Sequence, residues 1–438
     1  VQSLLFTSTG FRFVLAATSR SANTFGERTH NRPICEIMDN ARLARIAESP
    51  FTRLNALLKG IEPAPGFKPL LMQIGEPRLP TPQIVSRVIA EQNDLWSKYP
   101  SIRGTGDFRE ASTEWLNRRY DLPHGYIDAD RNILPVSGSR EALYMAAQLA
   151  TPDPEQWPDR QRPVALMPNP MYHVYYAAAV MAGAEPVPVA ATAETGFLPD
   201  FKSLSSDILG RVALAYICTP GNPQGAVASL DYLKDLTVLA RQHDFLLAVD
   251  ECYSEIYRGA APAGALEACA AIGGSPKNVL AFHSLSKRSS APGLRSGFVA
   301  GDPDLIASLA LLRNLGGPQV PGPIQAASAA LWRDETHVAA NRQHYANLFD
   351  LAERILGNHT NFHKPPGGFY LWLDVGDGKE FAQRLWREAA VKTLPGAFMA
   401  QPDGVNSANP GKRYIRVALV DDEATTEDAL KRIAQALG

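Results

Sequence analysis

Val279-Leu280-Ala281-Phe282-His283-Ser284-Leu285-Ser286-Lys287 is the stretch on which the reading of this chain turns. Its four leading apolar residues suit a strand buried on both faces, as in a parallel sheet covered by helices. The run stops at Ser284, and Lys287 follows, set among Ser, Gly and Pro residues, with Arg295 eight positions on. In open α/β sheets ligands bind at the carboxyl ends of strands. Lys287 therefore stands where chemistry is expected rather than where a solvated side chain would be unremarkable.

The same pattern spreads outward in both directions. Short β-type runs at 133–136, 164–167, 187–189, 212–217, 246–249, 279–282 and 297–300 are separated by helix-length segments such as 139–150, 172–182 and 230–243. Near-continuous apolar strands alternating with helices predict an α/β fold, a largely parallel sheet sandwiched by helices. After Pro323 the rhythm changes: helices at 324–332 and 336–356, a strand at 369–375, a helix, a strand at 414–419 and a closing helix. That reads as a smaller α+β domain.

Composition narrows the classes. The 438 residues are 45% hydrophobic and 20% charged, and the net charge is −2. Such a chain buries a core without staples, and it offers no basic surplus for nucleic acid or anionic lipid. No apolar run reaches the ~18 residues of a membrane span. Cys35, Cys218, Cys252 and Cys269 form no C-x-x-C pair and no disulfide framework; Cys218 and Cys252, at the ends of apolar strand-like runs, read as small buried hydrophobes, which points to a reducing, cytoplasmic compartment. The nine histidines lack ligand spacing, and no metal is expected. Residues 1–37 carry Arg12, Arg20, Arg28 and Arg32 against Glu27 and Glu36, and are read as a leader outside the main fold. Either the true start is Met38, just before a helix-like stretch at 40–46, or the leader is a transit peptide to an organelle.

Three further strand ends carry polar residues. Ser137-Gly138-Ser139-Arg140 opens a helix and aims N–H groups at an anion, although Ser before a helix is equally a plain N-cap. Thr219-Pro220-Gly221-Asn222-Pro223-Gln224-Gly225 is a turn that places Asn222 beside the same sheet edge. Asp250-Glu251-Cys252-Tyr253 puts a carboxylate at a buried strand end, which is costly unless it meets a cation or donors.

With Ile74-Gly75-Glu76-Pro77, the Tyr99…Gly104…Phe108-Arg109 stretch and Tyr414-Ile415-Arg416, these motifs resemble class I pyridoxal-phosphate-dependent aminotransferases of fold type I, from about Phe51 onward. The resemblance implies an N-terminal arm and part of a small domain over 38–75, a large cofactor-binding domain over 76–320 and a small domain over 321–438. It implies that Lys287 is the Schiff-base lysine and the proton carrier at the substrate α-carbon, and that Asp250 partners the pyridine nitrogen. Asn222 and Tyr253 would hold the ring's phenolic oxygen, and Tyr172 would stack on its face. Ser139, Arg140 through its backbone, Ser284 and Arg295 would form the phosphate cup. Tyr99 would reach the phosphate of a neighbouring subunit, which implies a homodimer. Arg416, with Gly75 and Asn222, would hold the substrate α-carboxylate. Gln224 stands where the family often has Thr.

Stretches 134–143, 286–289 and 292–301 are similar to bacterial succinyldiaminopimelate transaminases. That likeness implies glutamate as donor and N-succinyl-2-amino-6-ketopimelate as acceptor, in lysine biosynthesis. Arg103, Arg140 and Arg288 are candidates for a distal carboxylate, each otherwise a surface arginine. An aspartate, alanine or aromatic aminotransferase, or a C–S lyase, remains open on the same scaffold. A non-catalytic sensor is the further alternative, although 37 extra residues are too few for a DNA-binding domain.

Overall fold

All seven expected strands between 133 and 300 join one sheet in the computed structural model, which describes residues 40–157, 161–359, 362–402 and 408–438. They are β1 (Ile133–Val136), β2 (Val164–Asn169), β3 (Glu185–Ala190), β4 (Val212–Cys218), β5 (Leu246–Asp250), β6 (Val279–Ser284) and β7 (Gly297–Gly301). The order across the sheet is β1-β7-β6-β5-β4-β2-β3. Only β7 runs against its neighbours.

The apolar runs are continuous because both faces are covered. Leu247, Val249, Val279 and Ala281 face one core, while Leu246, Ala248, Leu280 and Phe282 face the other. This is the two-residue alternation of a strand with helices on each side. Several strands outrun their apolar stretch toward the carboxyl end. Ser284 pairs with Gly297 and Cys218 with Asp250, so the last rungs of the ladder are polar.

The helices used below are α1 (Ser139–Ala150), α2 (His173–Ala182), α3 (Leu230–His243), α4 (Leu285–Arg288), α5 (Pro303–Gly316), α6 (Thr336–Leu356) and α7 (Glu423–Leu437). In α3, Ser229 caps the start by accepting from Tyr232 N, and Leu233, Leu236 and Ala240 form the buried face. A left-handed Asp244 ends it.

A second, antiparallel sheet contains β8 (Tyr370–Asp374), β9 (Leu394–Pro395) and β10 (Tyr414–Ala418), in the order β9-β10-β8. Here α6 and α7 pack with the strands around Tyr345, Phe349, Phe369, Leu371, Ile415 and Leu430. The segment before Gly75 is bound into this unit. Leu70–Leu71 pairs in parallel with Val391–Lys392, and Ala418 N donates to Met72 O at 2.8 Å. Residues 42–438 form one compact unit; the division at 76 and 321 is a proposal about parts within it.

The stretch at 40–46 differs from expectation. It forms a single 3₁₀ turn, Leu43–Arg45, which buries no residue. An isolated short helix has too few hydrogen bonds to offset its nucleation, and no packing supports this one. The expected leader, with Cys35 and Met38, lies outside the described residues. Among the described residues, no helix is long and apolar enough to cross a membrane, and no cluster of three or more His, Cys, Asp or Glu could hold a metal ion.

Candidate active site

A cavity of about 580 Å³ opens at the carboxyl ends of the main sheet and is closed on one side by β8 and β10. Its anion-binding end is built by two turns. Gly138, at φ +84°, precedes α1, and a Cβ there would collide with the Arg295 guanidinium. Arg295 donates to Ser137 O and to Pro292 O, both at 2.9 Å. Ser139 begins α1, where the first N–H groups have no partner within the helix. Ser284 caps α4 by accepting from Ser286 N at 3.2 Å, and its hydroxyl donates to Ser286 Oγ at 3.0 Å. These donors suit a dianion.

Asp250, the last residue of β5, is 3% exposed. Tyr175 of α2 donates its hydroxyl to Oδ2 at 2.8 Å, and Cys252 N donates to Oδ1 at 3.3 Å. Burial pushes the carboxyl's pKa up, while these donors and the charge of Lys287 favour the carboxylate. Such a group can accept from a protonated ring nitrogen.

Lys287 lies on α4 with Nζ donating to Gly75 O at 2.6 Å. Burial lowers its pKa to about 8; the Arg416 and Arg140 charges act in the same direction, against Cys252 and Glu76. A substantial fraction is then the neutral amine at mildly alkaline pH, the form that attacks an aldehyde and accepts a proton.

Arg416 projects from the middle of β10 and is buried. It donates from Nη1 to Asn222 Oδ1 at 2.9 Å and from Nη2 to Gln73 O at 2.8 Å, and it lies 4.2 Å over the Tyr370 ring. Its buried Nε has no partner, which leaves a donor for a bound carboxylate. Tyr370 and Tyr253 share a hydroxyl contact at 3.1 Å. At Gly75 a Cβ would collide with the Tyr370 hydroxyl, so only glycine lets this backbone pass so near.

Tyr172 stands at the start of α2 and accepts from Arg140 Nε at 2.6 Å. Burial raises its hydroxyl pKa to about 12. Neighbouring His173 is lowered to about 4, by burial first and then by Arg140 and Arg416, so it is neutral in the cavity.

Lys287, Asp250, Tyr253, Ser139, Arg140, Tyr172, Asn222, Ser284, Arg295, Gly75 and Arg416 all line this cavity. Tyr99 does not; it is fully exposed on the surface. Two distal-carboxylate candidates require correction. Arg288 turns away and donates to Leu331 O at 2.7 Å and Glu335 Oε1 at 2.8 Å, because one step along a helix rotates a side chain by about 100° from Lys287. Arg103 donates to Asp130 O at 2.5 Å, outside the cavity. Gln224 is buried beside Ala191 O and also lies off the cavity wall. Sequence reasoning missed Tyr175, Tyr370 and Gln73. Tyr175 carried a usable signal, since it follows Tyr172 by three positions and shares its helix face.

An anion cradle, a buried carboxylate and an amine of lowered pKa in one cavity fit pyridoxal 5′-phosphate, and the unpartnered Arg416 Nε fits an amino-acid carboxylate. Residues 68–433 match the family described as aminotransferase class I and II. An LL-diaminopimelate aminotransferase from Syntrophobacter fumaroxidans is 30% identical over 386 residues, covering 86% of this chain and 93% of the relative. The 4-dedimethylamino-4-oxo-anhydrotetracycline transaminase OxyQ of Streptomyces rimosus is 30% identical over 364 residues, covering 83% and 92%. The crystal structure of an aminotransferase from Neisseria meningitidis superposes with a TM-score of 0.85 at 39% identity, covering 91% of this chain and 99% of that one.

Proposed function

We propose a substrate from one premise: the chain belongs to the aminotransferase class I and II family, and its activity is that of a pyridoxal-phosphate-dependent aminotransferase working on amino and keto acids. The reading is that it moves the amino group of glutamate onto N-succinyl-2-amino-6-ketopimelate, a step of lysine biosynthesis. The observation that carries it is Arg140. This cation lines the cavity together with Arg416, and among the described residues it pairs with the Tyr172 hydroxyl and with no carboxylate. A substrate with a second, distal carboxylate gives it one.

In this reading the cofactor, when bound, supplies the electron sink for the carbanion. The chain's own groups do the rest. Ser139, Ser284, Arg295 and the Arg140 N–H hold the phosphate, and the Asp250 carboxylate keeps the ring nitrogen protonated. Asn222 and Tyr253 donate to the phenolic oxygen, and the Tyr172 ring covers one face. Arg416 grips the α-carboxylate in a planar fork that Lys could not reproduce. Lys287 Nζ would take the proton from the substrate α-carbon and deliver it to the cofactor carbon that bears the substrate's nitrogen. Exposed Tyr99 is assigned to a second copy's phosphate in a homodimer.

A second reading has an observation of its own. Relatives at 30% identity are named LL-diaminopimelate aminotransferases, and that substrate lacks the succinyl group. Reverse-direction assays with 2-oxoglutarate compare N-succinyl-LL-2,6-diaminopimelate with unacylated LL-diaminopimelate. The expected result is at least about a hundredfold higher kcat/KM for the succinylated compound, roughly 2.7 kcal/mol of transition-state preference. The opposite preference establishes the second reading. Activity only with aspartate, alanine or aromatic donors overturns both.

A further inference from the structure

Ser137, just before the anion-binding turn, has each of its polar groups engaged. Its carbonyl accepts from Arg295 Nη2 at 2.9 Å, its hydroxyl donates to Pro318 O at 3.0 Å, and its N–H donates to Glu141 Oε1 at 3.4 Å. The last of these introduces a conflict. Glu141 lies in the first turn of α1, so a carboxylate occupies the same positive helix end that the cofactor's phosphate would use. A negative charge there favours the helix but disfavours a second anion.

Arg313 of α5 is packed behind that turn. Its side chain is 1% exposed, its guanidinium rests against Glu141, and Nη2 donates to Pro318 O at 2.7 Å. It does not line the cavity. Burying a guanidinium is costly unless it has a counter-charge, and Glu141 supplies one.

We propose that Arg313 is a positioning residue for the cofactor phosphate, neutralising Glu141 so that the start of α1 accepts a dianion while Glu141 still fixes Ser137. Arg313 acts through Glu141 and through Pro318 O, which it shares with the Ser137 hydroxyl. The proposal rests on the reading of 137–140 as the phosphate turn.

The full chain, stripped of cofactor, is titrated with pyridoxal 5′-phosphate and separately with pyridoxal, which lacks the phosphate. Absorbance follows binding, and thermal melts follow folding. Arg313→Met should weaken the phosphorylated ligand about tenfold or more and leave pyridoxal within about twofold. Glu141→Gln should bind at least as tightly as the parent. The double variant Arg313→Met/Glu141→Gln should recover most of the lost affinity, because the uncompensated charge is gone. Equal weakening of both ligands, or a double variant no better than the single, overturns the proposal. If Arg313→Met does not fold, the double variant decides: affinity near the parent's supports the proposal, and a loss beyond about tenfold sinks it. A parent chain with no preference for the phosphorylated ligand overturns the phosphate-turn reading, and the proposal falls with it. A preference that Arg313 does not affect overturns the proposal alone.

Discussion

Asp250 and Glu251 are consecutive carboxyl groups at one strand end, both nearly devoid of solvent, yet they serve opposite sides of the sheet. Asp250 faces the cavity, with Tyr175 and Cys252 N as donors and Lys287 as a nearby cation. Glu251 faces the core beneath. It accepts from Tyr120 Oη at 2.5 Å and Ala265 N at 2.7 Å, with His283 Nε2 at 3.5 Å. Burial raises the Glu251 pKa to about 7 and lowers that of His283 to about 3. Trp115, Phe298 and Tyr120 rings surround the imidazole. A buried carboxyl group with a cavity in front of it can serve chemistry. One held in the core by a tyrosine hydroxyl and a backbone N–H serves architecture.

The comparison can be broken in several ways. The largest effect belongs to the amine that Asp250 has nearby and Glu251 lacks: Lys287→Ala should lower kcat by more than about 10³-fold. Its melting temperature should stay near the parent's, as measured by calorimetry. Next, Asp250→Asn should reduce kcat by about 10²–10³-fold through loss of electrostatic stabilisation. Glu251→Gln should leave kcat within about threefold but cost about 1–3 kcal/mol of stability, read from urea unfolding. Equal kcat losses in the two variants would erase the distinction.

A pH titration sharpens it. A carboxyl group whose pKa is about 7 when folded and about 4.5 when unfolded binds more protons in the native state between those values. Its stabilising contribution is therefore full below about pH 4.5 and is lost as pH rises toward 7. The parent should lose up to about 3 kcal/mol more than Glu251→Gln across that window, in unfolding measured at each pH. Parallel pH profiles would mean that Glu251 ionises at its ordinary pKa. The smallest effect is expected from Tyr175→Phe. Removing one neutral donor from Asp250 should lower kcat about five- to tenfold, with little change in KM.

How far the molecule could be read in advance depends on how each residue is placed. Polar residues that end an apolar strand were visible, because Ser284, Asp250 and the Ser137–Ser139 turn interrupt runs that packing alone explains. The ranges 139–150, 230–243 and 336–356 matched their helices for the same reason: apolar spacing and caps agree. Arg416 lies mid-strand with no local signal and was found only through resemblance. Tyr370 enters the cavity, and the Gln73 carbonyl reaches Arg416, through tertiary packing, which no local pattern records. Arg288 shares its sequence neighbourhood with Lys287 but not its direction, and the 3₁₀ turn at 43–45 lacked a buried face.

The short backbone from Gln73 to Gly75 has a metric consequence. Gln73 O holds the guanidinium of Arg416 and Gly75 O holds the amine of Lys287, although one side chain comes from strand β10 of the second sheet and the other from helix α4 after the main sheet's β6. Their anchors are two residues apart, at most about 7 Å of chain. That stretch acts as a ruler. The separation between the group suited to gripping a carboxylate and the group suited to moving a proton is bounded by covalent geometry, so repacking either core leaves it nearly unchanged.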